Sequence, residues 1–435
     1  LDHDMQLQEA YEHGATDVKS LQLRGEYLYT ANGSDGLRVY DVANIDNKGR
    51  SERIQTAPVS PLGQRAYVPT TDATGIALPT NMPIDPTREQ NPANKEQPWN
   101  PIYRYAYVSD AVEGLIVVDV TRLGDRDPQN NFLERAAQFN PDGALDGAEY
   151  ITVAGNYAYI LCKRGLQIVS IADPLAPRIV ATLSAPTINE GHAVAIQFRY
   201  AFITDADGLK VVDVTWPEKP ALKATLPMAE THDVYVARTY AYIGAGSQGV
   251  AIVDVTKPEK PKLFQMFTAD GVINDTHAVR VGAAYNSVFA YVADGKNGLR
   301  VVQLISPGET VGAQGFSPIP TPRLIATYKT AGPAIALSKG MDRDRAVDEN
   351  GNQVSVFGRI GSRPFTRPEM ETMFVRDGGI FTVSDGRPMV NGKTVGPQKF
   401  IRPYEPPPGE YGTPEGGPVV QPLAPEPERL LPGRN

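Results

Sequence analysis

The sequence predicts an all-β protein folded as a β-propeller, and three observations lead to this prediction. A short strand that opens on glycine recurs six times, starting at Gly36, Gly114, Gly165, Gly208, Gly249 and Gly298. Most copies end in Asp-Val, and each follows an aromatic-rich run. The later copies lie roughly forty residues apart, a period typical of propellers and other repeat arrays. Four short strands per period indicate a propeller blade, because a β-sandwich would not repeat its sequence in this way.

Each repeat contains signals for four strands. In the best-preserved copy, 192–196 opens the repeat, and 200–203 alternates large and small residues with the period of two that strands require. The glycine strand follows at 208–213, and a turn closed by two prolines leads to a fourth strand near 222–226. The Asp- and Gly-rich stretch 204–208 between the second and third strands is typical of a hairpin turn.

The repeat breaks in two places. The run 64–68 has the pattern of a first strand of the second blade, whose second strand begins only at Tyr103. Between them, residues 69–102 are rich in Pro, Asn and Thr, and we expect a long loop insertion there. After residue 330 the pattern decays, and apolar runs up to residue 400 indicate a degenerate last blade at about 331–400.

We therefore expect seven four-stranded blades, six from clear repeats and one degenerate. The alternative is six blades, and a strand borrowed from the N-terminus is another way of closing the ring. The propeller would occupy residues 1–400. Residues 401–435 are proline-rich and cannot form strand ladders, which predicts an extended C-terminal arm.

The glycine strand and its Asp-Val ending resemble the LVIVD repeat, a propeller-forming repeat of bacterial and archaeal proteins. The resemblance covers roughly residues 15–57 and 103–330. It implies the propeller fold and a protein that is exported or displayed at the cell surface, as many members are. It implies no particular activity, because propellers host unrelated functions.

Composition and charge exclude several classes of function. The net charge is −8, and no basic stretch marks a surface for nucleic acid. No apolar run reaches the roughly twenty residues of a transmembrane helix. The chain begins at Leu1, and we expect an exported protein, periplasmic or extracellular, whose signal peptide has been removed. The single cysteine, Cys162, excludes covalent haem attachment through a Cys-x-x-Cys-His motif in this chain, and we expect it to be an inert thiol.

Three of the five histidines occupy the same repeat position, immediately before or at the start of the innermost strand: His192, His232 and His277. Glu149 and Asp17 fall at or near this position in two other blades. Imidazoles gathered at the mouth of the channel suit a transition metal such as zinc, copper or iron. The competing interpretation is structural: in WD-repeat blades, a histidine just before the inner strand bonds to a turn aspartate and ties the blade together.

Aspartates that end the glycine strands raise the question of calcium: Asp41, Asp119, Asp213 and Asp254. Calcium needs six to eight oxygen ligands at one place, whereas these residues occur once per blade. We therefore expect Asx caps of the following turns. The sequence contains neither a Gly-x-Ser-x-Gly nucleophile elbow nor a His-Glu-x-x-His motif.

These features favour a non-enzymatic function. The leading interpretation is an exported scaffold or accessory subunit of a larger extracytoplasmic assembly, such as a redox or cytochrome complex. Its protein partners would contact the 69–102 insertion and the C-terminal arm. One alternative is a metal-dependent enzyme that uses the three histidines. A second alternative is a propeller that binds a small ligand or glycan through loop aromatics such as Trp99 and Trp216.

Overall fold

The computed structural model describes residues 17–24, 27–41, 67–79, 98–123, 133–284, 287–313 and 315–338, together with the backbone of short strands beyond residue 358. Within the residues up to 338 the chain forms six four-stranded antiparallel sheets, which are the blades of a β-propeller. In every blade the strands pair in chain order, so the first strand is innermost and the fourth is outermost.

The first three blades contain β1 to β12. Blade one consists of Ser20–Arg24, Tyr27–Ala31, Leu37–Asp41 and Tyr67–Val68. Blade two consists of Ala73–Ala77, Tyr105–Asp110, Gly114–Asp119 and Glu134–Phe139. Blade three consists of Tyr150–Ala154, Tyr157–Cys162, Gly165–Ser170 and Arg178–Leu183.

The next three blades contain β13 to β24. Blade four consists of Ala193–Gln197, Tyr200–Asp205, Gly208–Asp213 and Ala221–Pro227. Blade five consists of Val234–Ala237, Tyr240–Gly244, Val250–Asp254 and Lys262–Phe267. Blade six consists of Ala278–Ala284, Ser287–Ala293, Leu299–Ile305 and Arg323–Tyr328.

Further short strands follow the six blades. Two of them, β25 and β26, pair with each other at Arg359–Ile360 and Arg363–Pro364. Another four, β27 to β30, form a sheet of their own: Val375–Arg376, Gly379–Ser384, Arg387–Val390 and Lys393–Thr394. The described helical segments are 3₁₀ turns at Pro101–Arg104, Thr121–Leu123 and Pro141–Gly143.

The repeated sequence produces a repeated register. In blade four, Asp205 pairs with Gly208 across a two-residue hairpin turn, as the Asp- and Gly-rich sequence predicts. The register between the third and fourth strands shifts at the same point in each of blades two to six, as at Val211 and Val212. A bulge of this kind increases the local twist of the sheet.

The hydrophobic core lies between the blades. Five clusters of buried side chains each join two consecutive blades, from the interface of blades one and two to that of blades five and six. At each interface the aromatic of one second strand faces the small residues of the next, as Phe202 faces Ala241. The alternation of large and small residues in the sequence therefore determines how consecutive blades pack against each other.

The predicted fold is confirmed in its class and in six blades, while the finer boundaries need correction. Residues 67–68 complete blade one as its fourth strand, and do not open blade two. The first strand of blade two is Ala73–Ala77, which lies inside the segment predicted as an insertion at 69–102. The sequence signal was weak because this strand is only five residues long and contains Thr74 and Gly75.

The seven-blade prediction is not met in the described part of the chain, where no seventh four-stranded blade is seen. Most of the predicted last blade at 331–400 lies outside the described residues. The C-terminal arm at 401–435 lies wholly outside them, as does most of the 69–102 segment beyond residue 79. Strand β1, the innermost strand of blade one, belongs to the same sheet as β2 to β4. All four strands of blade one therefore follow one another in the sequence.

Candidate functional site

A central channel runs between the innermost strands and encloses a cavity of about 610 Å³. Seven stretches of chain line it, six of them at the innermost strands of the blades. The seventh is 335–338, which follows blade six. The cavity is lined by residues within 19–22, 74–78, 149–153, 192–196, 232–236, 277–280 and 335–338.

The three predicted histidines share one structural position, as the repeat indicates. The backbone N–H of His192 donates to the carbonyl of Thr204 at 2.8 Å, and those of His232 and His277 make the equivalent bonds to the second strands of their own blades. These bonds fix the histidines at the mouth of the channel where the innermost strands begin. We call this the histidine end.

Two other blades place charged residues at this position. Glu149 occupies it in blade three, since its N–H donates to the carbonyl of Leu161 at 2.9 Å. In blade one the position belongs to Lys19, whose N–H donates to the carbonyl of Ala31 at 2.9 Å, and Asp17 lies two residues before it. Lys19 forms an ion pair with Asp72 and lies 3.7 Å from the Asp17 carboxylate.

The histidine rings form a row across neighbouring blades. The ring centroids of His192 and His232 are 6.1 Å apart, and those of His232 and His277 are 4.8 Å apart in a stacked arrangement. The Nδ1 atom of His192 is buried and has no hydrogen-bond partner among the described residues. Burial, followed by the neighbouring His277 and His192, lowers the pKa of His232 below 6.5, which favours its neutral form.

Stacked rings do not direct their lone pairs to one point. Within the described ranges, no group of three or more His, Cys, Asp or Glu side chains is arranged to hold a metal ion. The three histidines are therefore brought together without forming a ready coordination site, and metal binding stays a prediction.

The WD-like bond from histidine to a turn aspartate is also not seen among the described contacts. Asp205 in the turn of blade four instead accepts hydrogen bonds from the backbone N–H groups of Asn189 and Asp207, each at 3.0 Å. The one carboxylate contact of the row joins His277 Nε2 to Asp275 Oδ1 at 3.5 Å. The turn aspartate thus anchors the chain entering its blade, while the histidine faces the channel.

A half-buried polar network in the channel was not found by sequence reasoning. The Tyr150 hydroxyl donates to Asp233 Oδ1 at 3.3 Å, and Arg280 forms an ion pair with the same carboxylate. The Arg280 guanidinium also lies 5.6 Å from the ring centroid of Tyr235. These side chains come from blades three, five and six. The network therefore connects blade three to blade five without a side chain from blade four.

The network shifts the ionisation of its members. Burial, together with the Asp233 carboxylate, raises the pKa of Tyr150 above its usual value. Burial opposes the charge of Arg280, but Asp233, Tyr150 and Tyr235 together outweigh burial and raise the pKa of the guanidinium. Residue size was the one sequence signal that could have revealed the network. Tyr150 and Asp233 are large or charged, whereas the equivalent positions of the other blades hold small residues: Ser20, Gly75, Ala193 and Ala278.

The aspartates that end the glycine strands are Asx caps, as predicted. Asp213 Oδ1 accepts from the backbone N–H of Thr215 at 2.9 Å and from its hydroxyl at 2.6 Å. Asp119 and Asp254 make the corresponding bonds to the residues two positions later. The bonds from the Thr215 hydroxyl and backbone lower the pKa of Asp213. The side chain of Asp41 lies outside the described atoms.

The proline-closed turns contribute contacts between blades. The Tyr157 hydroxyl of blade three donates to Glu218 in the turn of blade four at 2.6 Å. One blade further on, Tyr200 donates to Glu259 at 3.0 Å. The glutamate of the Pro-Glu-Lys-Pro motif therefore links its turn to the preceding blade, which sequence analysis did not anticipate.

The opposite end of the blades carries exposed apolar side chains. Phe198 in a first hairpin turn is 92% exposed, Trp216 is 70% exposed and Phe316 is 79% exposed. They lie on turns that join first to second or third to fourth strands, which are all at the end away from the histidines. We define the apolar face as Leu175, Phe198, Trp216, Val311, Phe316 and Ile319, all exposed.

Hydrogen bonds connect the turns of this face. Gln197 Nε2 donates to the Arg238 carbonyl at 3.1 Å, which joins the first hairpin turns of blades four and five. The Thr239 and Ser317 hydroxyls are bonded to each other, which joins blade five to the long turn of blade six. The turns of Phe198 and Phe316 therefore lie at the same end of the propeller and are linked through the first hairpin turn of blade five.

Two other predicted residues behave differently. Trp99 packs edge-on against Tyr103 with ring centroids 6.3 Å apart, whereas Trp216 is largely exposed. Glycan or small-ligand binding stays a prediction. Cys162 is buried, and burial raises the pKa of its thiol, as expected of an inert cysteine.

Comparisons with solved structures gave matches of low identity. U3-55K is 11% identical with a TM-score of 0.47, and the match covers 79% of this chain and 88% of that one. The β-propeller domain of Cps50 (Swd1) from Myceliophteria thermophila is 10% identical with a TM-score of 0.45, covering 72% and 87%. Similarity at this level carries no functional argument.

A family profile matches along much of the chain. The LVIVD repeat is found at residues 15–49, 104–123, 147–183, 191–226, 229–268 and 287–306. A comparison with curated proteins found no match. The described residues include no helix that is long and apolar enough to cross a membrane. With its six blades and matching repeats, this chain is a β-propeller of the LVIVD-repeat family.

Proposed function

We propose that this propeller is a non-enzymatic interaction scaffold that binds another protein through the apolar face. The observation that carries the proposal is the exposure of three aromatic side chains, Phe198, Trp216 and Phe316, on turns at one end of the propeller. Monomeric proteins rarely expose contiguous apolar surface without a functional reason. Aromatic residues are also the side chains that most often dominate the binding energy of protein interfaces.

Backbone geometry at Phe198 supports the proposal. This residue adopts a φ of 52°, in the left-handed region that is unusual for residues other than glycine, asparagine and aspartate. Glycine, asparagine and aspartate adopt this conformation at lower cost than an aromatic residue does. The strained turn holds the ring outward, where it is available to a partner.

The partner and its location are part of the proposal. We place the protein outside the cytoplasm, as an accessory subunit of a larger assembly such as a redox or cytochrome complex. The repeat family contains many exported proteins, and this motivates the location. The part of the 69–102 segment after residue 79 and the arm at 401–435 are proposed as additional contacts, because proline-rich sequence is suited to lying along a neighbour.

The experiment is affinity purification of the tagged full chain from its own host. We expect specific proteins to co-purify with the wild type, and their recovery to fall about tenfold or more in Phe198→Asp and Trp216→Asp. The matched control is Val112→Asp, since Val112 is 57% exposed on a turn at the histidine end. Equal recovery with all variants, or no co-purifying protein, would contradict the proposal.

A second candidate function is metal-dependent catalysis at the histidine end, favoured by the convergence of His192, His232 and His277 on one mouth of the channel. Coordination would require the stacked rings to rotate so that their nitrogens meet. The test is elemental analysis of protein purified without chelators. A stoichiometric metal that is lost in His232→Ala would support this candidate, and its absence in the wild type would rule it out.

A further inference from the structure

A closed propeller has as many inter-blade interfaces as it has blades, but the described residues contain six blades and five apolar clusters between them. Each cluster is built in the same way. The aromatic of the second strand and the first aliphatic of the third strand face the next blade, as Phe202 and Leu209 do in blade four. The interface between blades six and one lacks such a cluster among the described residues.

Blade six consequently presents an open face. Its aromatic at the equivalent position, Tyr291, is 41% exposed. The five equivalent residues are at most 4% exposed: Tyr29, Tyr107, Tyr159, Phe202 and Tyr242. Leu299 is only half-buried, whereas its counterparts in the other five blades are almost fully buried. The face therefore has the sequence of a blade interface, and no neighbouring blade covers it among the described residues.

The channel shows where that neighbour belongs. Gly295 and Ala334 exchange two backbone hydrogen bonds of 2.9 Å, just as Gly246 and Thr276 do where blade five leads into blade six. At the other side, the N–H of Leu23 in blade one donates to the Ser338 hydroxyl at 2.7 Å. Residues 334–338 therefore occupy the place of a seventh innermost strand, between β21 and β1.

We propose that the hairpin formed by β28 and β29, Gly379–Ser384 and Arg387–Val390, docks on this face as the second and third strands of a seventh blade. In this arrangement 334–338 is the innermost strand. It would pair with the edge of 381–384, which has no strand partner on that side among the described residues. The docked hairpin would cover Tyr291 and Leu299 and close the ring.

The register of this hairpin matches that of a blade. Ser384 pairs with Arg387, so two residues of sequence, Asp385 and Gly386, separate the strands. The second and third strands of blade four have the same spacing, with Asp205 paired to Gly208. The long connection from residue 338 to residue 379 also has a precedent, because blade two separates its first and second strands at Ala77 and Tyr105.

The test places a photo-crosslinking benzoylphenylalanine at position 291 of the full chain, where it replaces another aromatic residue. After irradiation of dilute protein, we expect peptides from 375–394 of the same chain to be attached to residue 291 in a monomeric product. The control carries the same group at Leu175, which is 55% exposed on the apolar face. That control should give no crosslink to 375–394.

A second measurement compares thiol labelling in a Cys162→Ala background. With the hairpin docked, Tyr291→Cys should react with a water-soluble maleimide about tenfold or more slowly than Leu175→Cys, because reaction then requires local opening. Three outcomes would overturn the proposal: crosslinks that join two chains, crosslinks confined to other segments, or equal labelling of the two cysteines. Circular dichroism of each variant verifies that it is folded.

Discussion

Tyr150, Asp233 and Arg280 come from three different blades and meet in the channel. Their contacts form only when these blades are correctly placed around the axis. Arg280 and Asp233 are 19% and 12% exposed at their side chains. A charge pair this deeply placed contributes through mutual compensation, since each member is costly to bury alone. The pair therefore makes the correct juxtaposition of blades five and six a condition of stability.

This leads to a prediction about loss of one partner. Arg280→Met should lower the free energy of unfolding by about 3–5 kcal/mol, because it leaves the Asp233 carboxylate buried without its cation. The double variant Arg280→Met/Asp233→Leu should recover most of that loss. Urea unfolding measures both values. As a control, Glu309→Gln weakens a contact to Arg323 in which both side chains are more than half exposed, and should cost about 0–1 kcal/mol. An additive double variant would show that the pair is not coupled.

The histidine row makes stability depend on pH. The pKa of His232 is lowered in the folded chain, so below about pH 6.5 the unfolded chain binds more protons than the native one. The stability associated with a neutral His232 is therefore present above this pH. It is lost as the pH falls from about 6.5 toward the lower folded pKa. The groups that face His232 are His192 and His277, which lower its pKa further, and Glu230 and Asp275, which partly offset them.

The measurement is the free energy of unfolding of wild type and His232→Asn from about pH 8 to about pH 5. Carboxylates titrate in both proteins, so the informative quantity is the difference between the two curves. We expect the variant to lose less stability on acidification than the wild type. Parallel curves would show that His232 is protonated equally easily in the folded and unfolded chains.

At the scale of the strand, the glycine that opens the third strand is set by backbone geometry. Gly208 has a φ of 133°, and a Cβ there would lie 2.3 Å from the Leu226 carbonyl oxygen of the neighbouring strand. The position therefore excludes a side chain on two grounds, the φ angle and the close approach of the fourth strand. This explains why the glycine strand is the most regular part of the repeat.

The corresponding prediction compares two glycines. Gly155→Ala also changes a residue with positive φ, 55°, but no atom lies within 4 Å of the added Cβ, so only the conformational cost of about 1 kcal/mol applies. Gly208→Ala adds a backbone clash and should cost at least about 1 kcal/mol more. Thermal unfolding of the two variants measures the difference. Equal losses would contradict the assignment of Gly208 to a close strand contact.

Several features of the elements could be predicted because they depend on local sequence. The hairpin turn at Asp205, the Asx cap at Asp213 and the shared position of the histidines each follow from residues close together in the chain. The assignment of Tyr67 failed for a physical reason. A two-residue outer strand and a five-residue inner strand carry too little periodicity to show which blade each belongs to.

At the scale of the whole molecule, the sequence predicted the fold but not the contacts that form when the blades come together around the axis. The Tyr150–Asp233 bond and the apolar face depend on which turns meet around the axis, and the repeat pattern alone does not specify this. The same repeat that makes the fold predictable makes the blades look equivalent. Their differences appear only when exposure is compared position by position, as for Tyr291 and its five buried counterparts.

The two ends of the propeller then have different characters. The histidine end combines Lys19, Glu149 and three imidazoles around a polar mouth, whereas the opposite end exposes the apolar face. A scaffold protein needs a surface from which a bound partner excludes water, and a rigid frame that holds this surface in place. Five buried inter-blade clusters supply that frame, and turns of blades three, four and six supply the surface.

The most direct test of the scaffold is the native mass of the protein isolated gently from its own host. We predict a complex in which this chain is joined by at least one different protein, and its dissociation to the single chain in Phe198→Asp/Trp216→Asp. Val112→Asp should leave the mass of the complex unchanged. A single chain with no bound protein in the wild type, or a complex that persists in the double variant, would contradict the claim that the apolar face binds a partner.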